Sequence, residues 1–370
     1  MGGALDQLTG RLLIQCRSAH ALTAAEIATA HRAGLVVTGG KPEQAVGLLR
    51  GRGFAGPILC DADRYSGKKR VTAGCGIRPA WCGRQRELGL IPVTDSGYLD
   101  KQNWPGLRTI LRAAARQPPP VIAMLPVAAR WFDTDAIRDA FIEEINKYQV
   151  PVAVAIERQG DPFGAQYVAR GFLRLVREAA VPVLLLRSDV SALGALCHGA
   201  HAAAIGTVST LRHIHPISRW WPADPGVSAF VTPLLSYHKL DRIEEVVEKT
   251  PDLAQLWPCA CPVCADSTPV RLRESENPQE PAYRHSLHAQ LRLRAELFGR
   301  ARTREALVST WHEHCSHALA VHKQVAEVIP GWREPEGLKS WLAVTEDPLA
   351  RRREIPPQPQ TKDPRLTDTQ

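Results

Sequence analysis

Short, unbroken apolar runs recur along most of this 370-residue chain, and they restrict the folds open to it. They are Leu35–Thr38, Pro57–Cys60, Leu90–Thr94, Val121–Leu125, Val152–Ile156, Val181–Leu186, Ala202–Gly206 and Ser228–Thr232. Runs this short and this continuous read as strands buried on both faces, the pattern of a parallel sheet covered by helices. Helix-like stretches lie between them, among them Trp104–Arg116, Thr134–Tyr148, Gly164–Ala179 and Ser191–Gly199. The alternation predicts an α/β fold, a (β/α)8 TIM-type barrel over residues 1–250. A doubly wound open sheet would alternate in the same way. The earlier run Leu12–Cys16 is expected to be a strand or hairpin plugging the barrel's bottom.

Past Pro258 the pattern changes to a cysteine cluster and then to long helical stretches at 283–328 and 335–345. Residues 251–345 are therefore expected to form a zinc-binding, helical C-terminal subdomain, and 346–370 a disordered, basic, proline-rich tail. The cluster is Cys259-Ala-Cys261-Pro-Val-Cys264, followed after twenty residues by His285. Three thiolates and one imidazole form a tetrahedral set that Zn²⁺ favours, and a closed shell of this kind makes the metal structural. His288, about one helical turn further on, is the other candidate for the fourth ligand. The remaining six cysteines are scattered, which suits reduced thiols.

The N-terminal residues show no basic start followed by an apolar stretch, and no apolar run reaches the ~20 residues that span a bilayer, so a cytoplasmic protein without membrane contact is expected. A net charge of +8 favours a polyanionic partner. Six arginines between Arg284 and Arg304 read either as a solvated helix face or as phosphate contacts.

Reactive groups of a (β/α)8 barrel lie just past the C-terminal ends of its strands. The acids and amide there are Asp61, Asp95, Gln159, Asp161 and Asp189. In Thr94-Asp95-Ser96-Gly97-Tyr98, the acid suits a ring nitrogen, the glycine lets backbone approach and the tyrosine suits stacking. An Asp-Ser-Gly turn with an Asx bond is the alternative reading. Gly206 to His213 carries Thr207, Ser209, Arg212 and His213, which suit a nucleic-acid phosphate; histidine packing is the other reading.

Asp-Ser-Gly-aromatic, Gln159-Gly160 and Cys-x-Cys-x₂-Cys with a distal His together resemble the tRNA-guanine transglycosylase superfamily, most closely its bacterial DNA-modifying branch. The resemblance spans most of residues 10–305. It implies a barrel with a zinc insertion that exchanges guanine for a 7-deazaguanine such as preQ0 in DNA or, alternatively, tRNA. By position, it makes Asp95 the base-contacting acid/base and places Ser96, Gly97, Tyr98, Gln159 and Gly160 at the base. Cys259, Cys261, Cys264 and His285 map to the zinc ligands. The family's second aspartate, its nucleophile, has no match, because Ser228-Ala-Phe-Val-Thr-Pro-Leu-Leu holds no acid. Displacement at an anomeric carbon needs such a carboxylate, and Asp189 and Asp224 are the candidates. Trp220 and Trp221 suit wedges that extrude a base.

The alternative is a non-catalytic, zinc-stabilised family member that binds nucleic acid or partners an active subunit, which the missing aspartate favours. A third reading is an unrelated barrel enzyme that holds a phosphorylated metabolite near Gly206; it leaves the cysteines unexplained. An accessory protein subunit is compatible with the first two.

Overall fold

The computed structural model describes residues 2–217 and 226–345. Its centre is a seven-stranded parallel sheet, curled into a part-barrel. The strands are β1 (Arg11–Arg17), β2 (Gly34–Thr38), β3 (Ile58–Asp61), β4 (Ala123–Ala128), β5 (Val152–Glu157), β6 (Val183–Ser188) and β7 (Ala202–Gly206), in the order β3-β2-β1-β7-β6-β5-β4. A separate antiparallel pair joins β8 (Ser228–Val231) to β9 (Ser236–Lys239).

Twelve α-helices accompany the strands among the described residues. On the sheet's part of the chain these are α1 (Gly2–Leu5), α2 (Ala21–Ala30), α3 (Glu43–Gly51), α4 (Pro79–Glu87), α5 (Trp104–Ala115), α6 (Asp135–Tyr148), α7 (Gln166–Glu178) and α8 (Ser191–Cys197). The C-terminal part adds α9 (Leu240–Lys249), α10 (Gln279–Arg300), α11 (Arg304–Val328) and α12 (Glu336–Thr345). Local chemistry sets several starts: Asn103 Oδ1 accepts the Gly106 amide before α5, and Thr303 Oγ1 accepts the Ala306 amide before α11. The Thr303 cap explains why the predicted stretch 283–328 divides into two helices.

Strands β2, β3, β4 and β7 are buried at every residue, as the continuous apolar runs predict for a sheet covered on both sides. Three expectations change. Leu12–Cys16 is not a plug; it lies within β1, paired in parallel with both β2 and β7 near the middle of the sheet. Ser228–Val231 is not a barrel strand but half of the β8–β9 hairpin. Leu90–Thr94 forms no regular strand; only Val93 bridges to Ile122 beside β4. Pro92 lacks the N–H that a continuous ladder needs. A closed eight-stranded barrel is therefore not shown.

Two apolar cores follow. The larger fills both faces of the sheet and takes in Leu287, Leu291 and Leu297 of α10, Trp311 of α11 and Trp341 of α12. The smaller gathers residues 229–329 around Trp257, Cys261, Cys264 and Val325. Helix α10 is buried on nearly every side because it runs between the hairpin and the sheet's helices.

Inside the curl, at the C-terminal ends of the strands, a buried polar network replaces apolar packing. Gln15 of β1 donates to Asp61 Oδ2 at 2.8 Å and to Thr38 Oγ1 at 3.0 Å. Arg187 pairs with Asp61 at 3.4 Å and with Asp63, while Tyr65 donates to Asp61 at 2.7 Å. Arg187 sits at φ 51° where β6 loses register between Leu185 and Ser188, and both it and Ser188 are buried. An irregularity of this kind re-aims side chains that alternation would send to opposite faces. Burial raises the Asp61 pKa against the opposing pull of Arg187.

Removing one member of such a buried pair leaves an uncompensated charge. Arg187→Leu is expected to cost about 3–5 kcal/mol in denaturant unfolding. Adding Asp61→Asn and Asp63→Asn to it should recover part of that loss.

Candidate functional site: a metal-competent cluster and a cleft at the strand ends

Cys259, Cys261, Cys264 and His285 converge, with their ligand atoms all within 4.8 Å of one another. His285 Nδ1 lies 3.8, 3.4 and 3.2 Å from the three sulfurs. Ligand-to-metal bonds of about 2.0–2.3 Å place tetrahedral N and S atoms at such separations. The other ring nitrogen, Nε2, is 2.8 Å from the Phe230 carbonyl on β8. A proton on Nε2 donated to that oxygen leaves Nδ1 free to bind metal. The knuckle is shaped by backbone: Cys264 N–H points at Cys261 Sγ at 3.3 Å, and Ala265 and Asp266 take left-handed φ of 49° and 64°. The donor set thus fits a metal ion and is compatible with zinc.

His288 is otherwise engaged, with its Nδ1 2.9 Å from Nε2 of His31, the residue just past α2. The arginine run is engaged too. Arg284 pairs with Glu26 at 2.6 Å, Arg294 donates to the Gly10 carbonyl at 2.7 Å and Arg304 to the His198 carbonyl at 3.2 Å. Arg292 donates to the Ala260 carbonyl, and Arg300 pairs with Glu296 at 3.0 Å. Arg284, Arg292, Arg294 and Arg304 thus tie α10 and α11 to other parts of the chain, whereas Arg300, paired one turn back on its own helix, fits the solvated helix face.

Asp95 lies beyond the Val93 bridge and is 1% exposed. Its Oδ2 accepts from Arg64 at 2.8 Å and from Arg78, and its Oδ1 accepts the Arg78 amide at 2.8 Å. Ser96 is buried, with its hydroxyl 2.8 Å from that of Thr94. Gly97 has a steric reason, since a Cβ there would stand 2.3 Å from the Thr72 carbonyl oxygen. Tyr98 donates to Glu157, and the Arg70 guanidinium covers its ring at 3.8 Å while also pairing with Glu157. One face of that ring is therefore occupied. Gln159 and Gly160 are exposed in the loop after β5.

A cleft of about 390 Å³ lies elsewhere on the rim, near the strand ends. Asp161 follows β5, Asp189 follows β6, and Ser209, Arg212 and His213 follow β7. The β9 hairpin contributes Ser236, Tyr237 and His238, and the start of α12 contributes Gly337 and Leu338. The structure thus gathers the predicted Asp189, Ser209, Arg212 and His213 at one cleft. Asp95, Ser96, Gly97, Tyr98, Gln159, Gly160 and Thr207 are not among its lining residues. Asp224, Trp220 and Trp221 lie outside the described residues.

The cleft's electrostatics are uneven. Arg212 lies 3.3 Å over the Tyr237 ring, a cation–π contact that leaves its charge at the cleft. Gly206 makes this turn possible, since a Cβ there would meet the Leu211 carbonyl oxygen at 2.1 Å. Thr207 Oγ1 and His213 Nε2 are buried without a hydrogen-bond partner among the described residues. Burial, followed by the repulsion of His215 and Arg212, pushes the His213 pKa down to about 3. Burial and then His322 push His238 to about 3 as well, so both imidazoles are neutral at physiological pH. Asp189 Oδ1 accepts the Ser191 amide at 3.0 Å, and burial raises its pKa against that bond and the charge of Arg212. Sequence reading placed Asp161 at a strand end without a role. Tyr237 and His238 went unnoticed, since they belong to a polar strand paired only within its own hairpin.

Among the described residues, no helix is long and apolar enough to cross a membrane. No protein-family model and no curated protein matches the chain.

The two histidines make the cluster testable. By metal analysis of the purified protein, His285→Ala should lose most of the bound metal. His288→Ala should keep about one equivalent, because its ring bonds His31 and no sulfur.

Proposed function

We propose that the chain is a base-exchanging transglycosylase acting on nucleic acid, replacing guanine with a 7-deazaguanine such as preQ0, with DNA favoured over tRNA. The resemblance of its motifs to the tRNA-guanine transglycosylase superfamily suggests the reaction. The observation that carries the reading is Asp189, a carboxylate at a strand end, sharing a cleft with Arg212, His213 and Ser209. The parallel sheet would belong to a (β/α)8 barrel completed by the 90–94 segment, and the Cys₃His cluster would hold a structural zinc ion.

In this mechanism Asp189 is the nucleophile that the Ser228–Leu235 stretch does not supply. Its oxygen bonds the sugar C1′, and the C1′–N9 bond to guanine breaks with its electron pair leaving on the base. The incoming base then attacks C1′ through N9, giving up its N9 proton as the departed guanine takes one up, and releases Asp189. Arg212 and Ser209 suit the adjacent phosphate, the first as a fixed cation and the second as a hydroxyl donor. A volume of about 390 Å³ falls in the range of small-ligand pockets. Asp95, neutralised by Arg64 and Arg78, serves as an anchor that orients those cations toward the polyanion. Zinc, when bound, supplies no chemistry at the cleft; it fixes the hairpin bearing Tyr237 and His238.

One observation favours the non-catalytic reading, a nucleic-acid binder or a partner of an active subunit: both Asp95 oxygens are already engaged.

Labelled guanine or preQ0, supplied with duplex DNA or tRNA, separates the readings. Incorporation into DNA is expected, and Asp189→Asn should reduce kcat by at least about 10³-fold, the scale of losing a covalent nucleophile. Absence of label in either polymer, with the protein folded and metal-loaded, would support the binding role.

A further inference from the structure

Asp161 lines the same cleft as Asp189, and the motif comparison gives it no part. It follows β5 by four residues, and its backbone carbonyl accepts Arg158 Nη1 at 2.7 Å. Its Oδ1 accepts the Phe163 amide at 2.9 Å. Its Oδ2 accepts no hydrogen bond among the described residues and faces the start of α12. A Cβ at Gly337 would stand 2.5 Å from that oxygen, so only a glycine lets α12 approach so closely. Asp189 is held differently: the Ser191 amide fixes it, and the Trp341 indole of α12 donates to Ser191 Oγ at 3.2 Å. Helix α12 therefore borders both sites, meeting Asp161 at Gly337 and the serine that holds Asp189 through Trp341. Charged and titratable groups face them from every neighbouring element: Arg158 from the β5 end, Glu336 from α12, Arg333 before it, Arg212 and His213 after β7, and His238 from β9.

We propose that Asp161 and Asp189 form one interacting carboxyl pair in this cleft, in which Asp161 carries the proton and works as the acid and base beside the Asp189 nucleophile. The pair deepens the transglycosylase reading and rests on it only for the identity of the base.

Burial, then repulsion from Asp189, pushes the Asp161 carboxyl up to about 8. Two acids sharing one low-polarity site cannot both ionise at neutral pH, so the first proton to leave belongs to one member and the second stays. Asp189 is the better carboxylate, because the Ser191 amide and Arg212 favour its charge. In the reaction, Asp189 bonds C1′ as the C1′–N9 bond breaks, and the Asp161 carboxyl proton passes to the departing base. The resulting Asp161 carboxylate takes the N9 proton of the incoming base, whose freed electron pair attacks C1′ and expels Asp189. Proton and electrons return to where they began, and no oxidant or other co-reactant enters.

Carbon-13 NMR of the full-length, metal-loaded protein, labelled at aspartate carboxyl carbons, tests the pair directly. Asp161→Asn and Asp189→Asn assign the two resonances. In the wild type, one of the two should titrate near neutral pH and vanish from the spectrum of Asp161→Asn. In Asp189→Asn, the Asp161 midpoint should fall by at least about one unit, since the repelling charge is gone. An Asp161 that titrates in the ordinary carboxylate range of the wild type, or one unmoved by Asp189→Asn, would overturn the pair. The wild-type titration decides alone if Asp189→Asn does not fold, with Asp161→Asn supplying the assignment.

Because the folded pKa lies above the ordinary one, the folded protein holds a proton that the unfolded chain has released between about pH 4 and 8. Stability from this group is thus full at the acid end of that window and is lost as pH rises through it. Thermal melts of Asp161→Asn should show a gain over wild type that grows from pH 5 to pH 8. In the exchange assay, Asp161→Asn should lower kcat about 10²–10⁴-fold with little change in KM, and Asp161→Glu should restore part of it. Exchange by the wild type that survives Asp161→Asn at full kcat would refute the catalytic role. A titrating pair in a wild type that exchanges no base would instead refute the transglycosylase reading and leave the pair standing.

Discussion

One imidazole ring ties together the parts of this molecule that sequence separates. His285 faces three cysteine sulfurs with Nδ1 and the Phe230 carbonyl with Nε2, so a metal at the cluster is linked through a single ring to strand β8. Strand β8 pairs with β9, which forms a wall of the cleft. The serine next in sequence, Ser286, donates to the Ala282 carbonyl and accepts the Phe230 amide at 3.0 Å, so β8 is gripped at both backbone groups of one residue. A two-stranded hairpin alone is marginal in water. Here the metal-competent cluster and α10 supply the missing partners.

Charge inside the curl follows a complementary rule. The carboxylates Asp61, Asp63, Asp95 and Glu157 are each matched by arginines, Arg187, Arg64, Arg78 and Arg70. Asp161 and Asp189 are the exception, held by backbone amides and set against one another. Paired charges make a rigid mouth, whereas carboxyl groups held by backbone amides keep acceptor capacity. That difference, more than a motif, supports the proposal that chemistry takes place in this cleft.

Local patterns were legible in the sequence and distant pairings were not. Thiols spaced within six residues define their own cluster, and His285 could be ranked above His288 before any coordinates. Helices α5, α6, α7 and α8 begin within two residues of their expected starts, because caps and apolar spacing are local signals. The role of Leu12–Cys16 was hidden because its partner β7 lies nearly two hundred residues away in the chain. Ser228–Val231 has the composition of a barrel strand, and only its pairing with the polar run Ser236–Lys239 reveals a hairpin. Asp95 has the sequence context of a ligand-binding acid, yet Arg64 and Arg78 reach it from loops that no periodicity predicts.

The central claim is that the metal cluster, acting through His285, holds the hairpin wall of the cleft. The most direct measurement is amide hydrogen exchange of the full-length protein before and after chelation, with metal content checked in both. Protection should collapse across 228–239 once the metal is gone, while β1 and β7 at the centre of the sheet keep theirs. A hairpin that stays fully protected in verified metal-free protein would contradict the account.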